Sequence, residues 1–371
     1  MNKDFESKED FINKTKLKAM GWDASFQEYA NGAGIPARVV SVNKGQFHLN
    51  RGGEDWLATI AGKVRHKAAS RESEELYPVI GDWVLVQDTS IIKVLPRRNT
   101  LSRGSAGGRG KKNAIATEEQ IMAANLDTVF IVCGLDRDFN IRRIERYLTL
   151  VYNCKLNPVI VLTKADLHDI PEACVAEVAA VACGVPIHLV SAKDATGVLE
   201  LEQYLTSGKT GSMIGSSGAG KSTLLNRLYG ESVQATGSVS QQVGKGKHTT
   251  TGRDLIFMPQ GGMLIDNPGI REIAFSGNDG GVESTYEDIE SFAQGCRFSD
   301  CNHTHVTGCR VIEAATNGEL SQERLESYHK MKRELDHRTE RQNKSSDRVE
   351  KERWRDVALF SKAMKKKKKK R

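Results

Sequence analysis

Between residues 36 and 95, apolar positions come in short runs broken by glycines and polar turns. The runs cover 37–42, 46–50, 56–64, 82–87 and 91–95 and are rich in β-branched and aromatic residues. Runs of that length and composition predict strands. Five short strands in so small a span suit a closed barrel of the oligonucleotide-binding (OB) type, and an SH3-like barrel fits nearly as well. Phe47, Trp56 and Trp83 lie within these runs. They are placed to stack on bases, although aromatics within strands more often belong to the core.

Past residue 118 the pattern changes. Apolar runs of strand length at 126–133, 158–162, 186–190 and 212–214 alternate with helical stretches at 141–152, 171–182, 198–205 and 222–229. In the first of these helices Ile144, Leu148 and Val151 share one face. Strands alternating with helices predict a parallel sheet covered on both sides. From about residue 284 the chain is polar, cysteine-bearing and helical, with Leu325, Tyr328, Met331 and Leu335 at helical spacing. Beyond Asn343 it is mostly charged, and Trp354, Val357 and Phe360 allow one short amphipathic helix there. The expected organisation is a mobile N-terminal arm (1–35), a barrel (36–97), a basic linker (98–117), an α/β domain (118–280), a helical domain (281–342) and a charged extension with a lysine tail (343–371).

A chain of 371 residues is long enough for two or three domains, and its 39% hydrophobic content suffices for packed cores. No apolar run approaches the roughly 20 residues needed to span a bilayer, so no membrane partner is expected. The first 18 residues are polar and charged, unlike a secretory signal. Seven cysteines in that setting point to a reducing, cytoplasmic compartment, where clustered cysteines bind metal more often than they pair. The formal net charge of +7 is matched by the seven basic residues 365–371, so basic character is local. A second basic stretch holds Arg97, Arg98, Arg103, Arg109, Lys111 and Lys112 with no acid among them. Such segments track phosphate backbones, or else serve as solvated linkers and solubilising tails.

The chemistry lies in the order of the loops. Gly215-Ser216-Ser217-Gly218-Ala219-Gly220-Lys221-Ser222 is a complete GxxxxGKS phosphate loop between a strand and a helix. Its backbone N–H groups would cradle phosphates, Lys221 would neutralise the β- and γ-phosphates, and Ser222 would give a hydroxyl to Mg²⁺. Thr223 is placed for the α-phosphate. Thr163-Lys164-Ala165-Asp166 reads as a guanine-selecting loop. Asp166 can accept both the ring N–H and the exocyclic amine of guanine, which adenine does not offer, so ATP should be rejected. Lys164 would pack along the base. Thr163 stands where most GTPases carry the Asn that ties this loop to the phosphate loop, so a weakened tie is expected. Ser191-Ala192-Lys193 would supply a backbone donor to the guanine carbonyl. Asp266-Asn267-Pro268-Gly269 follows a strand. There Asp266 would hold Mg²⁺ through water, and the Gly269 N–H would sense the γ-phosphate. In an ordinary GTPase the phosphate loop comes first. Here the base reader precedes it, which predicts a circularly permuted, mostly parallel α/β P-loop GTPase.

Between the phosphate loop and Asp266 runs Gly244-Lys245-Gly246-Lys247-His248-Thr249-Thr250-Thr251, where a mobile switch belongs. Thr250 is the favoured Mg²⁺ ligand, with Thr249 and Thr251 as alternatives. Ile270 occupies the place of a water-orienting Gln, so slow intrinsic hydrolysis is expected. His248 is the nearest candidate for that catalytic task, unless it is simply an exposed loop residue. Further on, Cys296, Cys301, His303 and Cys309 form C-x4-C-x-H-x5-C, enough for one closed, structural tetrahedral Zn²⁺ site. His305 is an alternative to His303. Cys133, Cys154, Cys174 and Cys183 do not cluster and are expected to be buried.

Taken together, the permuted order, TKAD, GSSGAGKST, GKHTTT, DNPG, the cysteine–histidine spacing and the segment Glu119-Gln120-Ile121-Met122-Ala123-Ala124-Asn125-Leu126-Asp127 resemble the ribosome small-subunit-dependent GTPase A (RsgA) family. The likeness covers residues 36 to 340 or so. It implies an N-terminal OB barrel, a permuted GTPase and a C-terminal zinc domain. It also implies a bacterial cytoplasmic factor that acts late in small ribosomal subunit maturation. Its GTP hydrolysis to GDP would be stimulated by that subunit, and it would contact the subunit's rRNA. In that family the histidine matching His248 is the proposed catalytic residue. Two other readings stand beside it: an RNA-binding scaffold that uses GTP only as a ligand, and a permuted GTPase serving another RNA or protein. A switch of this kind requires no dimer, so a monomer is expected.

Overall fold

The computed structural model describes residues 8–30, 34–43, 45–62, 64, 77–104, 119–137, 139–230, 254–266, 280–304 and 306–343. The chain forms two compact units, one from 1–102 with 121–271 and one from 103–120 with 272–371. Trp354, Val357, Phe360 and the lysine tail lie outside the described residues.

The first unit opens with two helices, α1 (Lys8–Ala19) and α2 (Ala24–Tyr29). Residues 8–30 are therefore folded where the sequence suggested a mobile arm. Leu17, Met20, Trp22 and Phe26 are buried. Trp22 packs edge-on against Trp83 with ring centroids 4.8 Å apart, and Phe26 packs against the same ring. The Asp23 carboxylate starts α2 by accepting from the N–H groups of Ser25 and Phe26.

Five strands follow: β1 (Ile35–Asn43), β2 (Gln46–Asn50), β3 (Asp55–Ile60), β4 (Trp83–Gln87) and β5 (Ser90–Val94). β1 pairs with β2, β2 with β3, β3 with β5, β5 with β4, and β4 again with β1. The ring is closed, and only β3–β5 is parallel. This is an OB-type barrel, which closure leaves without free edges. Alternate inward residues Ala37, Val39, Phe47, Leu49, Ala58, Val84, Val86 and Ile91 fill it. Phe47 and Trp83 are fully buried, so neither presents a face to a base; Trp56 is half-buried.

β6 (Thr100–Gly104) and β7 (Glu119–Ala124) form a short ladder of their own, which the sequence pattern did not reveal. The main sheet comprises β8 (Thr128–Gly134), β9 (Pro158–Thr163), β10 (Ile187–Val190), β11 (Thr210–Ile214), β12 (Asp254–Phe257) and β13 (Met263–Asp266). Its order is β10-β9-β8-β11-β13-β12. All neighbours are parallel except β12, which runs antiparallel to β13 and meets the barrel through Ser41 opposite Asp254. Helices α3 (Ile141–Asn153), α4 (Pro171–Ala179) and α5 (Lys221–Tyr229) and a 3₁₀ turn at Leu199–Tyr204 accompany the strands. Asn140 caps α3 by accepting from the Arg143 N–H.

Barrel and sheet are stitched together by a fully buried arginine. Arg38, on β1, donates to the carbonyls of Gly81 (3.3 Å), Asn125 (3.2 Å) and Met20, and to the Thr210 hydroxyl (2.9 Å). Its guanidinium also faces the Trp83 ring. Burial, with Arg98 nearby, pushes its pKa down to about 9, which leaves it charged at neutral pH. Gly81 must be glycine: its φ is +87°, and a Cβ would sit 2.2 Å from the Ala124 carbonyl oxygen. Two residues of the basic stretch are also used internally. Arg97 grips the buried Asp82 carboxylate with two bonds of 2.8 Å. Arg98 pairs with Asp23 and covers the Phe26 ring.

The second unit contains α6 (Gly280–Thr285), α7 (Glu287–Ala293), α8 (Arg310–Thr316) and α9 (Gln322–Asn343). Leu325, Tyr328, Met331 and Leu335 are buried, as their spacing predicts. Arg324 makes a two-pronged ion pair with Asp288 and covers Tyr286. Among the described residues, no helix is long and apolar enough to cross a membrane.

Candidate nucleotide site and metal centre

The carboxyl ends of the parallel strands bring the motif loops to one edge of the sheet, where α/β folds bind ligands. In register, Thr163 at the end of β9 sits beside Gly134 of β8 and Val190 of β10. Met213 of β11 sits beside Asp266 of β13. The base-reading loop, Ser191–Lys193, the phosphate loop and Asp266 therefore leave neighbouring strands together.

Gly215, Gly218 and Gly220 have φ of +154°, +87° and +93°. At Gly215 a Cβ would lie 2.3 Å from the Val132 carbonyl oxygen, so the loop's first turn admits no side chain. Lys221 is buried and donates to the carbonyls of Gly215 (2.9 Å) and Ser216 (2.7 Å). Ala219 is buried, Ser217 and Thr223 are exposed, and Lys221, Ser222 and Thr223 form the first turn of α5.

The Thr163 hydroxyl donates to the Ala219 carbonyl at 2.5 Å. The weakened tie expected at this position is a direct hydrogen bond between the two loops. Lys164 adopts a left-handed conformation (φ +60°) and is ion-paired with Asp136, in the loop after β8. Ala165–Leu167 is a 3₁₀ turn that carries Asp166. The Asp166 carboxylate accepts from the Ser191 hydroxyl at 3.0 Å. Ala192 is half-buried, and Lys193 offers its carbonyl to Arg227 of α5 at 2.9 Å. Asp266 is buried at the end of β13. His248, Thr250 and Gly269 lie outside the described residues, as do Thr249, Thr251 and Ile270. Asp136 and Arg227 carry no motif, and the sequence reading gave neither a part in the site; Ser191 belongs to a motif, and the structure adds the bond from its hydroxyl to Asp166.

In the second unit, Cys296, Cys301, His303 and Cys309 turn their ligand atoms to within 4.8 Å of one another. Cys296 Sγ and Cys309 Sγ are 3.8 Å apart, and His303 Nδ1 is 3.6 Å and 3.4 Å from them. His303 thus faces the cluster through Nδ1, from a left-handed backbone (φ +56°). His329 hydrogen-bonds the His303 carbonyl at 3.0 Å. Burial lowers the His303 pKa and so favours the neutral imidazole that metals require. Burial also pushes the Cys309 thiol up to about 11, so metal uptake there must displace a proton. The four residues can hold a metal ion. His305 lies outside the described residues. Of the other cysteines, Cys133 and Cys174 are buried, Cys154 is half-buried, and Cys183, expected inside, is exposed.

A parallel sheet whose TKAD loop precedes its phosphate loop, with an OB barrel before it and a cysteine–histidine cluster after it, is that of a circularly permuted P-loop GTPase. Comparison with known proteins agrees. The RsgA GTPase family model matches residues 94–276. An ABC transporter model matches residues 199–367. Both spans contain the phosphate loop, common to many nucleotide-binding proteins, but the base-reading loop falls outside the second. The small ribosomal subunit biogenesis GTPase RsgA of Methanosarcina acetivorans is 43% identical and covers 76% of this chain and 76% of its own. Its namesake in Opitutus terrae is 38% identical over 92% of this chain and 95% of its own. The crystal structure of YjeQ from Thermotoga maritima matches with 30% identity and a TM-score of 0.58 over 81% of this chain and 98% of that one. YloQ, described as a circularly permuted GTPase, shares the fold at 21% identity and a TM-score of 0.56. The chain belongs to the RsgA family of GTPases.

Proposed function

We propose that this protein hydrolyses GTP on the small ribosomal subunit late in its maturation, and that the subunit stimulates turnover. The relatives named small ribosomal subunit biogenesis GTPase support the partner. The observation that carries the chemistry is the Thr163–Ala219 bond, which locks a guanine-type loop onto a phosphate loop. In this reading Asp166 accepts two hydrogen bonds from guanine, Lys164 lies along the base and the Ala192 N–H meets the guanine carbonyl. Backbone N–H groups from Ser216 to Lys221 hold the phosphates, with Thr223 at the α-phosphate and Lys221 between β and γ. Ser222, Thr250 and Asp266 would hold Mg²⁺, which neutralises charge developing on the phosphates. The Gly269 N–H senses the γ-phosphate. That segment runs directly into the second unit, so loss of the γ-phosphate would release a constraint at its start. His248 orients the attacking water. The remaining basic residues and the barrel surface meet rRNA, in a salt-sensitive way. The protein acts as a cytoplasmic monomer.

The test is phosphate release measured alone and with small subunits, large subunits or free rRNA. Stimulation confined to small subunits is the expected result; no stimulation would favour a scaffold that merely holds GTP. His248→Ala should leave GTP affinity unchanged and lower stimulated turnover by about 100-fold or more. Equal stimulated turnover in the variant would remove His248 from the mechanism.

The metal of the second unit is proposed to be one structural Zn²⁺. A tetrahedral site with Zn–S near 2.3 Å has S···S edges of about 3.8 Å and S···N edges of about 3.5 Å. The distances of 3.8, 3.4 and 3.6 Å within the cluster support that geometry. Cys301→Ser should lose the zinc and lower the unfolding temperature of the second unit. Metal analysis that finds no zinc in the wild type would reject the assignment.

A further inference from the structure

We infer that Asp136 is a positioning residue for guanine-nucleotide binding, acting through Lys164. The inference rests on the base-reading role proposed for Lys164 and Asp166. Lys164 is one of six non-glycine residues with positive φ among the described residues. Such a backbone is disfavoured for a long side chain and persists only where neighbours hold it. Three contacts from the end of β8 do so. The Leu135 N–H donates to the Thr163 carbonyl at 2.8 Å, which pins the residue before the lysine. Gly134 leaves room for the Asp136 carboxylate beside the lysine stem, since a Cβ there would lie 3.1 Å from Asp136 Oδ1 and in contact with Lys164 Cδ and Cε at 3.4 Å. The Asp136 carboxylate then takes the ammonium group.

The result is a lysine stretched across the end of β8 rather than waving in solvent. A flexible side chain that must form one wall of a base pocket loses rotamer freedom when the ligand binds. Asp136 takes part of that loss in advance, so the free protein is closer to its bound form. The ion pair is about one-third exposed at both ends, so its contribution is positional more than coulombic. Asp136 does not touch the groups that distinguish guanine, which belong to Asp166. Its effect must therefore be the same for every ligand whose ring lies under Lys164.

The test is a double-mutant cycle on the full chain, read by calorimetric affinity for GDP, GTP and ITP. Asp136→Ala should weaken all three by about fivefold, with the GTP-to-ITP ratio unchanged. In a Lys164→Ala background the same change should cost nothing. An equal loss in both backgrounds would mean that Asp136 merely supports the fold, and unchanged or tighter binding would mean that it does not position the lysine; either result overturns the inference. The base-reading assignment is tested separately by Asp166→Asn, which should exchange preference for GTP for preference for XTP. Persistence of GTP preference there would reject that assignment, whatever Asp136→Ala does.

Discussion

Arg38→Ala is expected to destabilise the first unit by about 4 kcal/mol or more, because it strands several buried acceptors at once. The carbonyls of Met20, Gly81 and Asn125 all receive their bond from this one side chain, and each stranded carbonyl costs about 1–3 kcal/mol. Gly81 keeps a second donor in the Asn125 side chain, so its share should be the smallest. A cavity beside Trp83 adds to the loss. Arg38→Met should recover the volume but not the donors, and remain well below wild type. Arg38→Lys should also fail, because an ammonium on a straight stem cannot reproduce a planar fork of donors. Urea unfolding reads all three; a loss of under about 1 kcal/mol in the alanine variant would show that the junction does not depend on Arg38.

Lys221→Ala should weaken GTP binding by about 100-fold or more, which corresponds to one or two charge-assisted bonds to phosphate. The ammonium is already aimed into the loop, since it rests on the carbonyls of Gly215 and Ser216. Phosphate oxygens arriving there gain a charge already desolvated and fixed in place. The backbone cradle and the base contacts remain in the variant, so guanine preference over adenine should survive in whatever binding is left. Calorimetry with GTP and ATP measures both quantities. Wild-type affinity in Lys221→Ala would exclude this loop as the phosphate site.

The barrel and the sheet were legible because strands of five or six residues leave a local apolar signature. The run at 46–50 and strand β2 (Gln46–Asn50) coincide. β12 (Asp254–Phe257) is as short as β13, but its apolar stretch had no flanking motif to mark it. The N-terminal helices escaped for a different reason. Among the described side chains of α1 (Lys8–Ala19) only Leu17 is buried, and Met20 and Trp22 come after the helix ends, so no periodic stripe marks it. Trp22 and Phe26 find their partner in Trp83, some 60 residues on. Arg97 shows the converse error. In sequence it belongs to a basic stretch fit for RNA, yet Asp82 consumes its charge inside the fold.

By itself, the amino-acid order determined that a TKAD loop precedes a GxxxxGKS loop and that four soft metal-ligand side chains fall within residues 296–309. Both are local facts, because loop chemistry and metal chelation need particular residue types at short spacing. Only the tertiary structure decided that Thr163 reaches Ala219, that Asp136 takes Lys164, that His303 presents Nδ1, and that Arg38 joins barrel to sheet. Those contacts depend on strand register, backbone handedness and packing between distant segments, none of which leaves a spacing to read.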